Sequence, residues 1–178
     1  MIMSSLNPEF IKVFKSFTVR RLSPKDEHEV LELYLNNAEY FGYFSTEPTL
    51  ETVKEDMFAL PPGKTMQDKF FIGFFDRNGI SDDKLCAVMD IIDKYPDDES
   101  IFIGLLMVAA SEQNKGKGSK IVTELCEGLK EYGYRKVKLG FIKSNVKAKC
   151  FWLKNDFLPT GKEYLHDNYT VVEAERTI

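Results

Sequence analysis

The sequence predicts one mixed α/β (α+β) domain over residues 1–178, a mostly antiparallel sheet of six to seven strands flanked by about four helices. Three observations point there. Apolar periodicity switches between the two-residue and the 3.6-residue repeat in the order β-α-α-β-β-β-α-β-α-β-β. Three successive strand patterns, at 69–76, 84–93 and 100–108, are separated only by turn signals, which implies an antiparallel meander. No internal repeat, low-complexity tract or linker interrupts the 178 residues, a length that suits a single domain with a sizeable core.

The N-terminal residues, through about 15, carry Phe10, Ile11, Val13 and Phe14 and read as a short helix or arm. Phe17 to Leu22 alternates as a strand. Ser23 then supplies an N-cap, Pro24 the first helical position and Asp26 an acid two residues on, and Val30, Leu31, Tyr34, Leu35 and Ala38 give that helix its apolar face. Four aromatics surround a glycine in Tyr40-Phe41-Gly42-Tyr43-Phe44. They either line a substrate pocket, with Tyr40 and Tyr43 as contacts, or plug the core. A second helix from about Pro48 shows Leu50, Val53, Met57 and Leu60 on one face and stops at Pro61-Pro62-Gly63.

The aromatic strand from Lys69 to Asp76 leads into a turn at Asn78-Gly79, lengthened by Ser81-Asp82-Asp83. Strands from Lys84 to Asp93 and from Ser100 to Val108 follow, joined by a turn at Tyr95-Pro96-Asp97-Asp98. Further on, 136–141 alternates as a strand, Ser144 caps a helix running to about Asn155, and 157–162 and 169–174 read as a closing strand pair.

Composition narrows the functions open to such a chain. Hydrophobic residues make up 43% and charged residues 29%, a globular balance that argues against disorder. The net charge of −4 gives no broad basic surface for nucleic acid. The three cysteines, Cys86, Cys126 and Cys150, lack C-x-x-C spacing and sit in apolar segments, which fits a reducing compartment. The histidines, His28 and His166, have no ligand-spaced partners, so no metal is expected. Met1 to Glu9 lacks the basic-then-apolar pattern of a signal peptide, and no apolar run reaches spanning length; a cytoplasmic protein with no membrane partner is the expectation.

The stretch that carries chemistry runs from Leu105 to Lys120. An apolar strand gives way to a short polar loop, and from about Gly116 an amphipathic helix begins, with Ile121, Val122, Leu125, Cys126 and Leu129 on one face. The first amides of a helix have no internal partner and carry the positive end of the macrodipole, so strand, glycine loop and helix together make an anion seat. Lys115, Lys117 and Lys120 add charge. Neither G-x-x-x-x-G-K-[ST] nor G-x-G-x-x-G is present; the pattern is Gln-x-x-Gly-x-Gly, from Gln113 to Gly118.

With its lead-in Leu106-Met107-Val108 and Ser119 just after it, this stretch resembles the acetyl-CoA loop of the GCN5-related N-acetyltransferases, the GNAT family. The element order is similar to that family's over nearly the whole chain, so the resemblance implies the GNAT fold with a central mixed sheet. It implies acetyl-CoA as cofactor, held by the backbone of Leu106, Met107 and Val108 and by the loop residues Gln113, Asn114, Lys115, Gly116, Lys117, Gly118 and Ser119. Asn114 stands where many relatives have glycine, and Asn tolerates left-handed backbone better than most residues. The family's Asn-x-x-Ala-x-x-x-Tyr helix reads here as Asn145 to Trp152, placing Asn145, Ala148 and Trp152 on one helix face. The resemblance puts Asn145 and Trp152 against the cofactor; Trp152 also reads as a core aromatic.

Two departures bear on mechanism. Trp152 replaces the tyrosine that can protonate the leaving thiolate, and an indole N–H is no acid near neutral pH. Phe102 stands where one branch of the family has a glutamate base. Asp90, Asp93 and Tyr95 are the remaining candidates; Asp90 is preferred as base and Tyr95 as a substrate contact, and in a regular strand Asp90 and Asp93 face opposite sides. The acids Asp90, Asp93, Asp97, Asp98 and Glu99 form a neighbourhood that would draw in a cationic amine. The implied reaction is direct acetyl transfer to a primary amine of a small molecule or peptide, with the amide of Leu106 as an oxyanion donor. The rival reading is a non-catalytic acyl-CoA-binding sensor. Either a monomer or a homodimer paired through the closing strands is compatible with the pattern.

Overall fold

The structure is a computed structural model and describes residues 6–76 and 84–178. Among the described residues seven strands form one sheet: β1 (Phe17–Arg21), β2 (Lys69–Asp76), β3 (Leu85–Ile92), β4 (Ser100–Val108), β5 (Lys136–Ile142), β6 (Leu158–Leu165) and β7 (Thr170–Thr177). Their spatial order is β1-β2-β3-β4-β5-β7-β6. Every neighbouring pair is antiparallel except β4 and β5, whose crossover passes through the helix after the glycine loop. The helices are α1 (Glu27–Leu35), α2 (Ala38–Gly42), α3 (Leu50–Phe58), α4 (Lys117–Glu131) and α5 (Val146–Lys154). The expected mixed sheet and GNAT-type arrangement are therefore present.

The sequence expectation differs in several local places, one of them the apolar face of α1, where Leu35 is exposed and Leu33 is buried, and Ala38 falls in the next helix. A fifth helix, α2, occupies part of the aromatic segment after α1; at five residues it is too short to show a periodicity. Asn145, not Ser144, caps α5, its side chain accepting the Ala148 N–H at 2.9 Å. Thr49 caps α3 in a reciprocal arrangement with Thr52. The turn expected at Asn78-Gly79 and Ser81–Asp83 lies outside the described residues.

The sheet separates two apolar layers. On one face α4 and the 3₁₀ turn Pro8–Val13 cover Phe70, Ile72, Phe74, Met89, Ile101 and Val137. On the other α1, α2 and α3 cover Phe71, Phe75, Val88 and Met107. β2 is buried on both faces, and Lys69 at its first position is drawn in with it, only 2% exposed.

Two irregularities in the middle of the sheet create the space for a site. β4 and β5 pair only from Ser100↔Lys136 to Ile103↔Leu139 and then part, β4 running on toward the glycine loop and β5 staying with β7. In the same place β4 bulges: Asp90 of β3 opposes Leu105 and Ile91 opposes Ile103, so Gly104 is the extra residue. The bulge shifts the alternation of β4. Ile103 and Leu106 belong to the α4 layer, and Leu105 and Met107 to the α1–α3 layer.

Candidate active site

Hydrogen bonding sets which way the end of β4 presents its backbone. Ala109 donates to the Cys86 carbonyl at 2.8 Å, so its N–H faces β3. Residues alternate along a strand, and Leu106 and Val108 therefore turn their N–H and C=O groups away from β3, into the gap that β5 has left. Gln113 fills one of these positions, its Nε2 donating to the Val108 carbonyl at 3.0 Å and to Asn37 Oδ1 at 2.7 Å.

Beyond Gln113 the backbone is arranged for an anion. Asn114 has φ 59° and Gly116 φ 80°, two left-handed residues that curl the chain into the start of α4. Among the described residues no amide from Asn114 to Ser119 donates to another protein group; the next to do so is Lys120, to the Gly116 carbonyl. Gly118 is hemmed in, since a Cβ there would lie 3.1 Å from the Phe151 ring and 3.4 Å from Val108. The loop, the parted strands and α5 enclose a cleft of about 870 Å³.

The lysines contribute less free charge than their number implies. Lys117 Nζ lies 2.5 Å from Asp76 and 2.8 Å from Glu112. Burial opposes its charge, but these two carboxylates outweigh the burial and hold its pKa above the ordinary lysine value. Lys115 pairs with Glu112 at 3.3 Å and does not line the cleft. An incoming anion thus meets mainly main-chain amides and the helix dipole.

A second cavity, of about 770 Å³, opens on the α1–α3 face of the sheet. It shares Tyr40, Phe44, Phe102, Gly104, Leu105 and Tyr169 with the cleft, so the two spaces meet at the β4 bulge. Asp90 lies on its wall. Lys69 Nζ donates to Asp90 Oδ2 at 2.7 Å and to the Ala59 carbonyl at 3.0 Å. Asp90 Oδ1 is buried and has no hydrogen-bond partner among the described residues. Burial pushes the Asp90 carboxyl up to about 6, even against the pull of Lys69. Burial likewise raises the pKa of Asp56, which accepts from the Tyr34 hydroxyl at 2.7 Å.

The structure sorts the residues named from the sequence. Leu106, Val108, Gln113, Asn114, Gly116, Lys117, Gly118, Ser119, Asn145 and Trp152 line the cleft. Gln113 does so as a brace: its N–H reaches the Ala110 carbonyl at 3.4 Å and its side chain is taken, so the run of unpaired amides begins at Asn114. Met107 does not belong to the cleft; the bulge turns its side chain into the α1–α3 core, where it is 5% exposed. Trp152 is both wall and core, edge-on to Phe157 at 5.1 Å. Tyr40 and Tyr95 line the second cavity, whereas Tyr43 lines neither space and stands near Lys147.

Asp90 and Asp93 do face opposite sides. Asp93 is buried in the α4 layer, accepting from the Leu6 amide and the Tyr134 hydroxyl. Glu99 pairs with Arg135, and Asp97 caps the turn at Glu99, so the run of acids after β3 does not front the cavity. The cavity draws its carboxylates from Glu47, Glu55 and Asp56 instead, along with Asp90. Glu47, Glu55, Asp56 and Lys69 are not singled out by the sequence, whereas Asp90 is. The isolated Gly104 in a strand pattern was a readable sign of the bulge that brings Asp90 into use.

The model of the acetyltransferase (GNAT) family matches residues 28–157, most of the chain and all of the loop and both parted strands. The chain belongs to the GNAT acetyltransferase family. Acetyl transfer is therefore its chemistry, and acyl-CoA use accords with coenzyme A in the structures of relatives. Solved structures agree on the fold. An acetyltransferase from Thermus thermophilus is 20% identical, with 93% of this chain and 99% of that one aligned at a TM-score of 0.70. An aminoglycoside acetyltransferase, AAC(6')-Ib, in complex with coenzyme A is 20% identical, with 91% and 95% aligned at 0.67. The spermidine N-acetyltransferase from Vibrio cholerae, in complex with CoA and spermine, is 17% identical, with 91% and 95% aligned at 0.65. No curated protein matches the sequence significantly. Among the described residues of this GNAT protein, no cluster could hold a metal ion and no helix is long and apolar enough to cross a membrane.

Proposed function

We propose that this GNAT protein transfers acetyl from acetyl-CoA directly to a primary amine, with Asp90 as the general base. One observation carries the reading: the glycine-loop cleft and the Asp90 cavity meet at Gly104–Leu105, where β4 and β5 part. The residues present suit coenzyme A. The run of unpaired amides from Asn114 to Ser119 suits its diphosphate, the outward backbone of Leu106 and Val108 suits its amide-bearing arm, and Gly118 leaves room that a side chain would fill.

Bound acetyl-CoA supplies a thioester whose carbonyl carbon is open to a nucleophile. Asp90 takes one proton from the incoming ammonium, which frees the nitrogen lone pair. The N–C bond forms, the C–S bond breaks, and the bonding pair leaves on sulfur. The Leu106 N–H, pointing into the gap, donates to the carbonyl oxygen as negative charge develops there. Trp152 offers no acid, so the second proton of the nitrogen passes through water to the departing thiolate, leaving a neutral amide and a free thiol; a thiol pKa of about 8.5 makes it a fair leaving group. Holding both substrates at the junction supplies much of the acceleration.

Thiol release from acetyl-CoA with a panel of amines tests the reading. Amine-dependent release is expected to fall about 10²–10⁴-fold in Asp90→Asn. Silence across the panel, together with tight CoA binding, would establish the sensor instead.

A further inference from the structure

The second cavity has a charge pattern that acetyl transfer by itself does not require. Among the described residues four carboxylates line it, from Glu47, Glu55, Asp56 and Asp90, and no lysine or arginine does. The two inner acids are partly balanced: Asp90 by Lys69, whose side chain is 1% exposed, and Asp56 by the Tyr34 hydroxyl. Among the described residues Asp90 Oδ1 still lacks a donor although it is buried, and Asp56 forms no ion pair, feeling Lys69 only through space. Glu47 and Glu55 are exposed at the mouth and form no ion pair among the described residues. Between mouth and floor the wall is aromatic, with Tyr40, Phe44, Tyr95, Phe102 and Tyr169.

We propose that the acceptor is a small molecule bearing two or more ammonium groups, its reacting nitrogen at Asp90 and a second held at the mouth by Glu47 and Glu55. The inference rests on the acetyl-transfer reading and adds the substrate class. A donor is missing at the floor, and unpaired anions stand at the rim. Rings between them offer π-faces to cations and apolar surface to methylenes. A single-amine acceptor would leave the rim acids unused, and an anionic acceptor would be repelled by all four. Linear polyamines and aminoglycosides share the required chemistry.

The test compares kcat/KM for putrescine, spermidine and kanamycin with that for butylamine at saturating acetyl-CoA. The polycations are expected to exceed butylamine by about tenfold or more at low salt, with the ratio shrinking as salt screens the rim. An exposed ion pair is worth up to about fivefold, so the double variant Glu47→Gln/Glu55→Gln should lower the ratio about tenfold. A preference for spermidine assigns a linear acceptor, and one for kanamycin a ring-bearing acceptor. Equal kcat/KM for butylamine and every polycation overturns the inference and leaves acetyl transfer standing, as does faster turnover of an uncharged peptide's N-terminus. Calorimetry with spermidine separates the opposite failure. Binding that the double variant loses supports the acidic site even if no amine is acetylated, whereas no binding and no polycation preference sinks it.

Discussion

Gly104 lies directly against Asp90: a methyl group on its Cα would stand 2.6 Å from Asp90 Oδ2 and 3.3 Å from Cγ. The same Oδ2 holds Lys69 at 2.7 Å, so the bulged glycine, the carboxylate and the buried ammonium form one packed unit. The bulge that lets β4 pass over Asp90 also marks where β5 peels away.

Gly104→Ala should therefore act on catalysis through Asp90. The new methyl displaces the carboxylate, and a displacement of about 1 Å costs on the order of 10²-fold in rate. Steady-state kinetics are expected to show kcat down by about 10–100-fold, while calorimetry shows CoA affinity within about threefold. A variant as fast as the parent would mean that the carboxylate position is irrelevant to the reaction.

Asp90 also predicts a pH dependence. Its carboxyl titrates near 6, and only the ionised form accepts a proton. Activity should rise as pH increases through about 6 and fall away below it. In Asp90→Asn this limb should vanish along with most of the rate. A limb that persists near 6 in the variant would assign the titration to another group.

Lys69→Met removes the cation that holds the Asp90 pKa down, so the acidic limb should move above 6. Stability gives an independent reading. Asp90 binds its proton more tightly folded than unfolded, so it favours the fold at low pH, and that contribution is lost as pH rises from about 4 toward its folded value. In the variant the loss extends to higher pH. Above the new limb an unpartnered buried carboxylate costs roughly 3–5 kcal/mol. Thermal melts across pH should thus show the variant closest to the parent in acid and furthest from it near pH 8. An unmoved limb would remove Lys69 from any role in tuning Asp90.

How much of this was readable depends on whether the determinant is local. The glycine-loop side of the cleft was legible because its parts are contiguous: the apolar run of β4, the left-handed positions Asn114 and Gly116, and the apolar face of α4 occupy one stretch of sequence. The second cavity was not, because its acids come from the segment after α2, from α3 and from β3, and only folding brings them together. Lys69 carries no sign of its burial in the sequence; that follows from β2 lying between β1 and β3 with both faces covered. The side-chain face of Met107 is hidden in the sequence for a related reason. Its face depends on the parity of β4, and one extra residue at Gly104 reverses that parity.

The glycine loop yields a prediction that does not depend on turnover. Gly116 sits at φ 80°, where an L-residue pays about 1–2 kcal/mol, and a side chain at Gly118 must push the Phe151 ring or fill the cleft. Saturating CoA should stabilise the parent by about 2.7 kcal/mol at a hundred times its Kd. In Gly118→Leu that CoA-dependent rise in Tm should disappear while the ligand-free Tm changes by only a few degrees. Gly116→Val should lose stability without ligand and most of the rise with it, because Val resists the left-handed turn that presents the amides. A full CoA-dependent rise in both variants would place the diphosphate away from the amides between Asn114 and Ser119.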